Sequence, residues 1–137
     1  MLAIALPAAL FACGSSDEPS SSPIAGSYVA TSFHTTGTSG QRDELAAGAT
    51  LQITLNANGT TTGHFHFVPP GSDPVFDADL TGTWTANGSV VTFDHAADTF
   101  IRDMPFDWSS NIQGISILTG DHTFSQTRIQ VTLTRAS

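Results

Sequence analysis

Between residues 80 and 93 the chain reads LTGTWTANGSVVTF, and no other stretch narrows the choice of fold as much. Leu80, Gly82 and Trp84 alternate with Thr81, Thr83 and Thr85, Asn87-Gly88 interrupts, and Val91 and Phe93 resume the alternation. A period of two turns one set of side chains into a core and the other toward water. Asn-Gly supplies the positive φ angles of a tight type I′ turn, so the stretch predicts a β-hairpin. Asn58-Gly59 stands in the same relation to residues 51–55 and 61–67. Two such hairpins predict an antiparallel sheet.

The remaining pattern extends that sheet. Residues 25–36 read as a first strand, 49–56 and 60–68 as the first Asn-Gly hairpin, 99–103 as a short strand ended by Pro105, and 111–118 with 123–135 as a last pair joined by Thr119-Gly120-Asp121-His122. Asp43-Glu44-Leu45-Ala46-Ala47 suits one short helical turn, with acids at its start and glycine after it. Pro69-Pro70-Gly71-Ser72-Asp73-Pro74 makes a stiff loop, because consecutive prolines cannot donate to a ladder. The sum is an all-β chain of eight strands with at most one helical turn. Nearly every link is a short hairpin between successive strands, which favours an eight-stranded antiparallel up-and-down β-barrel over a Greek-key sandwich. Closure removes exposed edges, so the first strand is expected to pair with the last and to bring Arg135 to the face of Tyr28.

Composition sets limits on partners. A length of 137 residues suits one domain, and 39% hydrophobic with 12% charged residues is too apolar for disorder. Twelve acids against four arginines and no lysine give a net charge of −8, so nucleic acid is excluded as an expected partner and anionic headgroups are disfavoured. No Gly-x-Ser-x-Gly elbow, Walker loop, His-Glu-x-x-His or dinucleotide fingerprint is present. The expectation is a monomeric protein that is not an enzyme and needs no cofactor.

Residues 1–12 are apolar and uncharged, and too short for the ~20 residues of a spanning helix. They have the length of a signal-peptide core. Leu10-Phe11-Ala12-Cys13 resembles the bacterial lipobox, which implies a diacylglyceryl group on Cys13, the one cysteine of the chain. A Ser/Pro-rich run completes a tether over residues 13–23, and residues 24–137 form the barrel domain. Lipid anchoring in a bacterial cell envelope follows, with Gly14 after the cysteine favouring the outer membrane where there are two.

Gly26-Ser27-Tyr28 on the first strand with Arg135 on the last resembles the arrangement of lipocalins, in which a Gly-x-Trp near the start packs under an arginine from the closing strand. Gly82-Thr83-Trp84 echoes the motif, and DLTGTW, VTFDHAADTFIRD and VTLTR resemble the lipocalin-like domains of bacterial lipoproteins, over residues 23–135. The resemblance implies a calycin-type barrel closed by Gly26, Tyr28 and Arg135, tethered to a membrane and carrying or sequestering a small hydrophobic molecule. The alternative is a structural or protein-binding barrel with a filled core, similar to small bacterial inhibitors of secreted metalloproteases.

Tyr28, Phe65, Phe67, Trp84, Phe93 and Phe100 are the aromatic candidates to line a cavity, since an eight-stranded barrel either fills itself or holds one small ligand. Arg102 is a candidate to bind a ligand carboxylate, or else to pair with Asp98, Asp103 or Asp79. His64 and His66 form a His-x-His pair able to share a cation. With phenylalanines between and beyond them taking the inner face, they read first as outward partners.

Overall fold

The computed structural model describes residues 23–136, so Cys13, the signal segment and most of the tether lie outside the described residues. Ten strands form one sheet: β1 (Gly26–Gly37), β2 (Gly40–Asp43), β3 (Thr50–Leu55), β4 (Thr60–Phe67), β5 (Phe76–Asp79), β6 (Gly82–Asn87), β7 (Val90–His95), β8 (Phe106–Ser110), β9 (Ser116–Phe124) and β10 (Thr127–Arg135). Eight of them close in the order β1-β3-β4-β6-β7-β8-β9-β10, and β10 returns to β1. The barrel is antiparallel throughout. The seam runs from Tyr28 opposite Arg135 to Thr36 opposite Arg128, so the first and last strands pair as the sequence leads one to expect.

Strict alternation along β1 would send Tyr28 and Phe33 to opposite faces. Both are buried, each 1% exposed. The reason is a β-bulge: Ala30 faces Leu133 and Ser32 faces Thr132, so Thr31 is the extra residue and the phase shifts by one. Elsewhere alternation holds. β7 buries Val91, Phe93 and His95, and β3 buries Leu51, Ile53 and Leu55.

β5 and β6 face β4 in a single register, His64 opposite Asp79 and Thr61 opposite Gly82. They are therefore one strand kinked at Leu80-Thr81, where the Thr61 hydroxyl donates to the Leu80 carbonyl (2.7 Å) and Leu80 N–H donates to Gly63 O (3.0 Å). The expected hairpin thus begins one segment earlier than its alternation suggests.

Neither Asn-Gly makes a two-residue type I′ turn. In the first, Ala57-Asn58-Gly59 is a three-residue loop: Gly59 N–H donates to Asn56 O, Asn56 N–H donates to Thr60 O, and only Gly59 takes positive φ, +90°. In the second, Asn87 pairs with Val90 and the central residues are Gly88, at φ +66°, and Ser89. Positive φ at the first central position alone is the type II′ pattern. The hairpins are as expected, but their turns are others of the same family.

Two further expectations are corrected and a third holds. Residues 100–103 form a single helical turn, α1 (Phe100–Asp103), and not a strand. Asp98, just before the turn, forms an ion pair with Arg102 at 2.7 Å, while Pro105 holds Met104 extended and ends the turn. The eighth wall is instead β8. Residues 119–122 are not a turn either, because they run through the middle of β9. Gly120 is there for space: a Cβ would meet the Met104 methyl and stand 2.9 Å from the Phe106 ring. The true connection is Ser125-Gln126, with Ser125 at φ +55°. At residues 43–47 the expected helical turn does occur, with Ala47 N–H donating to Asp43 O (3.2 Å), directly after the unforeseen β2.

Candidate functional site

The two ends of the barrel differ. At the end where the chain enters and leaves, side chains fill the interior: Tyr28, Leu55, Trp84, Val91, Phe93, Phe106, Leu118 and Leu133 are all buried. Tyr28 donates its phenol to Ile24 O at 2.6 Å, Trp84 Nε1–H donates to Asn56 O at 2.8 Å, and Phe93 meets Phe106 edge-on at 5.4 Å. Burial pushes the Tyr28 phenol up, with the Ser116 hydroxyl and Arg135 opposing the shift. Arg135 lies directly over Gly26, where a Cβ would stand 2.6 Å from Nε, and its Nη1 donates to Pro23 O at 3.2 Å. Gly26, Tyr28 and Arg135 close this end together.

The opposite end is concave. Past Val29, β1 parts from β3 and pairs instead with β2, which opens the wall outward. β4 and α1 supply the other sides. A cavity of about 510 Å³ results, lined by Phe33, Phe65, Phe67, Phe100 and Ile129, with Thr35, Arg42 and Glu44 as its polar edge. The phenyl rings form one cluster: Phe33 to Phe100 and Phe65 to Phe100 are both 5.4 Å, the latter edge-on, and Phe33 to Phe65 is 6.0 Å. Such offset and T-shaped contacts are the favourable ones for aromatic quadrupoles.

Glu44 is 1% exposed, which for a carboxylate demands donors. Thr35 Oγ1–H donates to Oε2 and Arg42 Nη1–H donates to Oε1, each at 2.6 Å. The backbone pins the residue as well, its N–H to Phe33 O and its carbonyl to Ala49 N–H, both at 2.9 Å. Glu44 therefore spans the gap between β1 and β3, and its side chain lies on the cavity wall.

Of the aromatic residues singled out in the sequence, Phe65, Phe67 and Phe100 line this cavity. Tyr28, Trp84 and Phe93 belong to the packed half. Arg102 is not on the wall: it pairs on the outside with Asp98 (2.7 Å) and Asp103 (3.0 Å). His64 and His66 point outward onto β5, where Asp77 Oδ1 lies 2.9 Å from His64 Nε2 and 2.7 Å from His66 Nδ1, and Asp79 lies 3.2 Å from His64 Nδ1. Among the described residues no group of three or more such side chains is arranged to hold a metal ion. A second hollow beside β5 is walled by Asp77, Asp79, Asp98 and alanines with Phe76, and it lacks an aromatic enclosure.

Sequence reasoning missed Phe33, hidden by the Thr31 bulge, and the triad Thr35, Arg42 and Glu44. The available signal was an Arg-x-Glu inside a segment read as loop. A carboxylate two residues from one of only four arginines suggests a pair, though not its burial.

Fold and cavity together define a closed eight-stranded β-barrel with one packed end and one aromatic, hollow end, a form suited to holding a small molecule. Comparison with protein-family models, with curated proteins and with solved structures gives no match.

Proposed function

We propose that this chain is a non-enzymatic binding protein of the bacterial cell envelope, lipocalin-like, tethered by a lipid on Cys13, that takes a small apolar molecule end-on into the open end of the barrel. The observation that carries this is the cavity of about 510 Å³ walled by Phe33, Phe65, Phe67 and Phe100 above a filled floor. Its size falls in the range of small-molecule sites, which are mostly apolar with a few placed polar groups. Apolar surface withdrawn from water contributes roughly 25 cal/mol per Å², so an apolar tail laid against the half-buried Phe67, Phe100 and Ile129, with Phe33 and Phe65 packed behind them, gains affinity without a charged contact.

The test uses the full-length chain. It is titrated with an apolar fluorescent probe, and the purified protein is extracted with organic solvent for co-purified lipid. Saturable probe binding that Phe65→Ala or Phe100→Ala weakens by about tenfold or more is expected. Absence of both probe binding and extractable ligand overturns the carrier role.

A protein-binding role is favoured by one feature, the exposed Val75 (49%) and Phe76 (40%) that follow the proline loop. Capture of one envelope protein that is lost when residues 69–75 are replaced by a short Gly/Ser linker, with no probe binding, supports that role instead.

A further inference from the structure

Resting on the binding role above, we propose that the ligand is an uncharged long-chain molecule whose head is a hydrogen-bond acceptor, an ester or amide carbonyl, and that Arg42, held by the buried carboxylate of Glu44, recognises that head.

Charge at the mouth is the first ground. Among the described residues Arg42 and Glu44 are the only charged ones on the cavity wall, and they neutralise one another at 2.6 Å. An anionic head brings a second negative charge beside Glu44, inside a chain already at −8, and a half-buried site screens that repulsion poorly. A cationic head meets the guanidinium first, because both Glu44 oxygens already accept bonds, from Arg42 and Thr35. A neutral head pays neither cost.

Donor count is the second ground. A guanidinium carries five N–H donors in a fixed fork, and Arg42 commits Nη1 to Glu44. Its Nε and Nη2 have no hydrogen-bond partner among the described residues, and its side chain is 30% exposed at the cavity edge. What the wall offers is donors without net charge. The complement is a carbonyl oxygen, with its alkyl tail directed toward Phe33, Phe65 and Phe100.

The experiment is competition against a bound apolar fluorescent probe on the full-length chain near neutral to mildly alkaline pH, comparing laurate, methyl laurate and dodecane. The ester is expected to displace the probe at concentrations about tenfold lower than either the acid or the alkane. Glu44→Gln uncovers the guanidinium charge, so the acid gains on the ester. Because that substitution also disturbs a buried group, the neutral double variant Arg42→Met with Glu44→Met provides the second measurement: probe binding persists and the advantage of ester over alkane disappears. Laurate displacing the probe as well as its ester in the unmodified protein overturns the assignment, as does a double variant that keeps the ester preference. In both cases continued probe binding leaves the carrier role standing, whereas failure of the probe to bind at all removes the carrier role and this inference with it.

Discussion

His64 and His66 alternate with Phe65 and Phe67 on β4, so the phenyl rings take the core and the imidazoles meet β5. Hydrogen bonds that it donates to Asp77 and then to Asp79 hold His64 above its ordinary 6.5, and Asp77 is held below its ordinary 3.8 by His64 and then His66. The signs follow by linkage. A raised imidazole value gives stability that is complete below 6.5 and fades as pH rises through the raised value; a depressed carboxyl value gives stability present above 3.8 and lost as pH falls through the depressed value. The contact between β4 and β5 is therefore at full strength between those limits and weakens on the alkaline side. All these side chains are solvent-exposed, so the effect on stability is small and salt-sensitive. In Asp77→Asn the His64 titration followed by NMR moves down toward 6.5, and the loss in unfolding midpoint is larger at about pH 5.5 than at about pH 8.5. An unchanged His64 titration in Asp77→Asn contradicts this pairing.

One turn of helix has no stability of its own, so α1 persists because of what it covers. It occupies the gap where β7 and β8 pair only at Val90 and Val91, and it places Ile101 at 0% exposure and Phe100 on the cavity. Ile101→Ala is expected to cost about 3 kcal/mol in denaturant unfolding, the range for deleting a buried aliphatic side chain. Ile112, 98% exposed on the β8–β9 loop, is the control, and Ile112→Ala is expected to stay within about 0.5 kcal/mol. Equal losses at the two positions mean that α1 is not packed as described. The same element shows where a sequence stops being legible. Strands with strict alternation, β3, β4, β6 and β7, were readable because each buries one face. α1 was not, because Phe-Ile-Arg-Asp fits a strand or a helical turn equally, and what favours the turn is the burial of Ile101 against the core together with Pro105 at its end. Gly120 misled for a related reason: glycine marks a turn or a close approach, and only the positions of Met104 and Phe106 say which. The closed end was legible through Gly26, Tyr28 and Arg135. The polar edge of the cavity was not, since Thr35, Arg42 and Glu44 meet only after β2 folds back on β1.

Closure of the whole molecule depends on the pairing most distant in sequence. β10 must reach β1 across the entire chain, as when the Thr31 and Thr134 hydroxyls bond at 2.8 Å over 103 positions, and loop-closure entropy and high contact order make this a slow step. The ends of the described chain also lie together: Ala136 N–H donates to Ser27 O at 2.7 Å, and Arg135 and Ser116 both donate to Pro23 O. A circular permutant is therefore geometrically undemanding. Joining residue 136 to residue 23 by a Gly/Ser linker of about five residues and opening the chain between Ile112 and Gln113 turns the β10–β1 seam into a hairpin, at the packed end and away from the cavity. Opening there makes β8 and β9 the pair most distant in sequence, so the long-range closure moves from the β10–β1 register to the shorter β8–β9 one. The permutant is expected to retain probe binding, to refold within about tenfold of the parent's rate in stopped flow, and to lose at most about 2 kcal/mol, including the Asn111 side-chain bonds to Gln113 and Ile115 N–H. Truncation after Phe124 is the opposite perturbation. It removes buried Val131 and Leu133, exposes the edges of β1 and β9, and is expected to abolish cooperative unfolding and probe binding together. If the truncated chain still unfolds cooperatively, the seam is not what holds the barrel shut; if the permutant refolds far faster than that, the β10–β1 pairing in particular, and not closure by whichever pair is most distant, is the slow step.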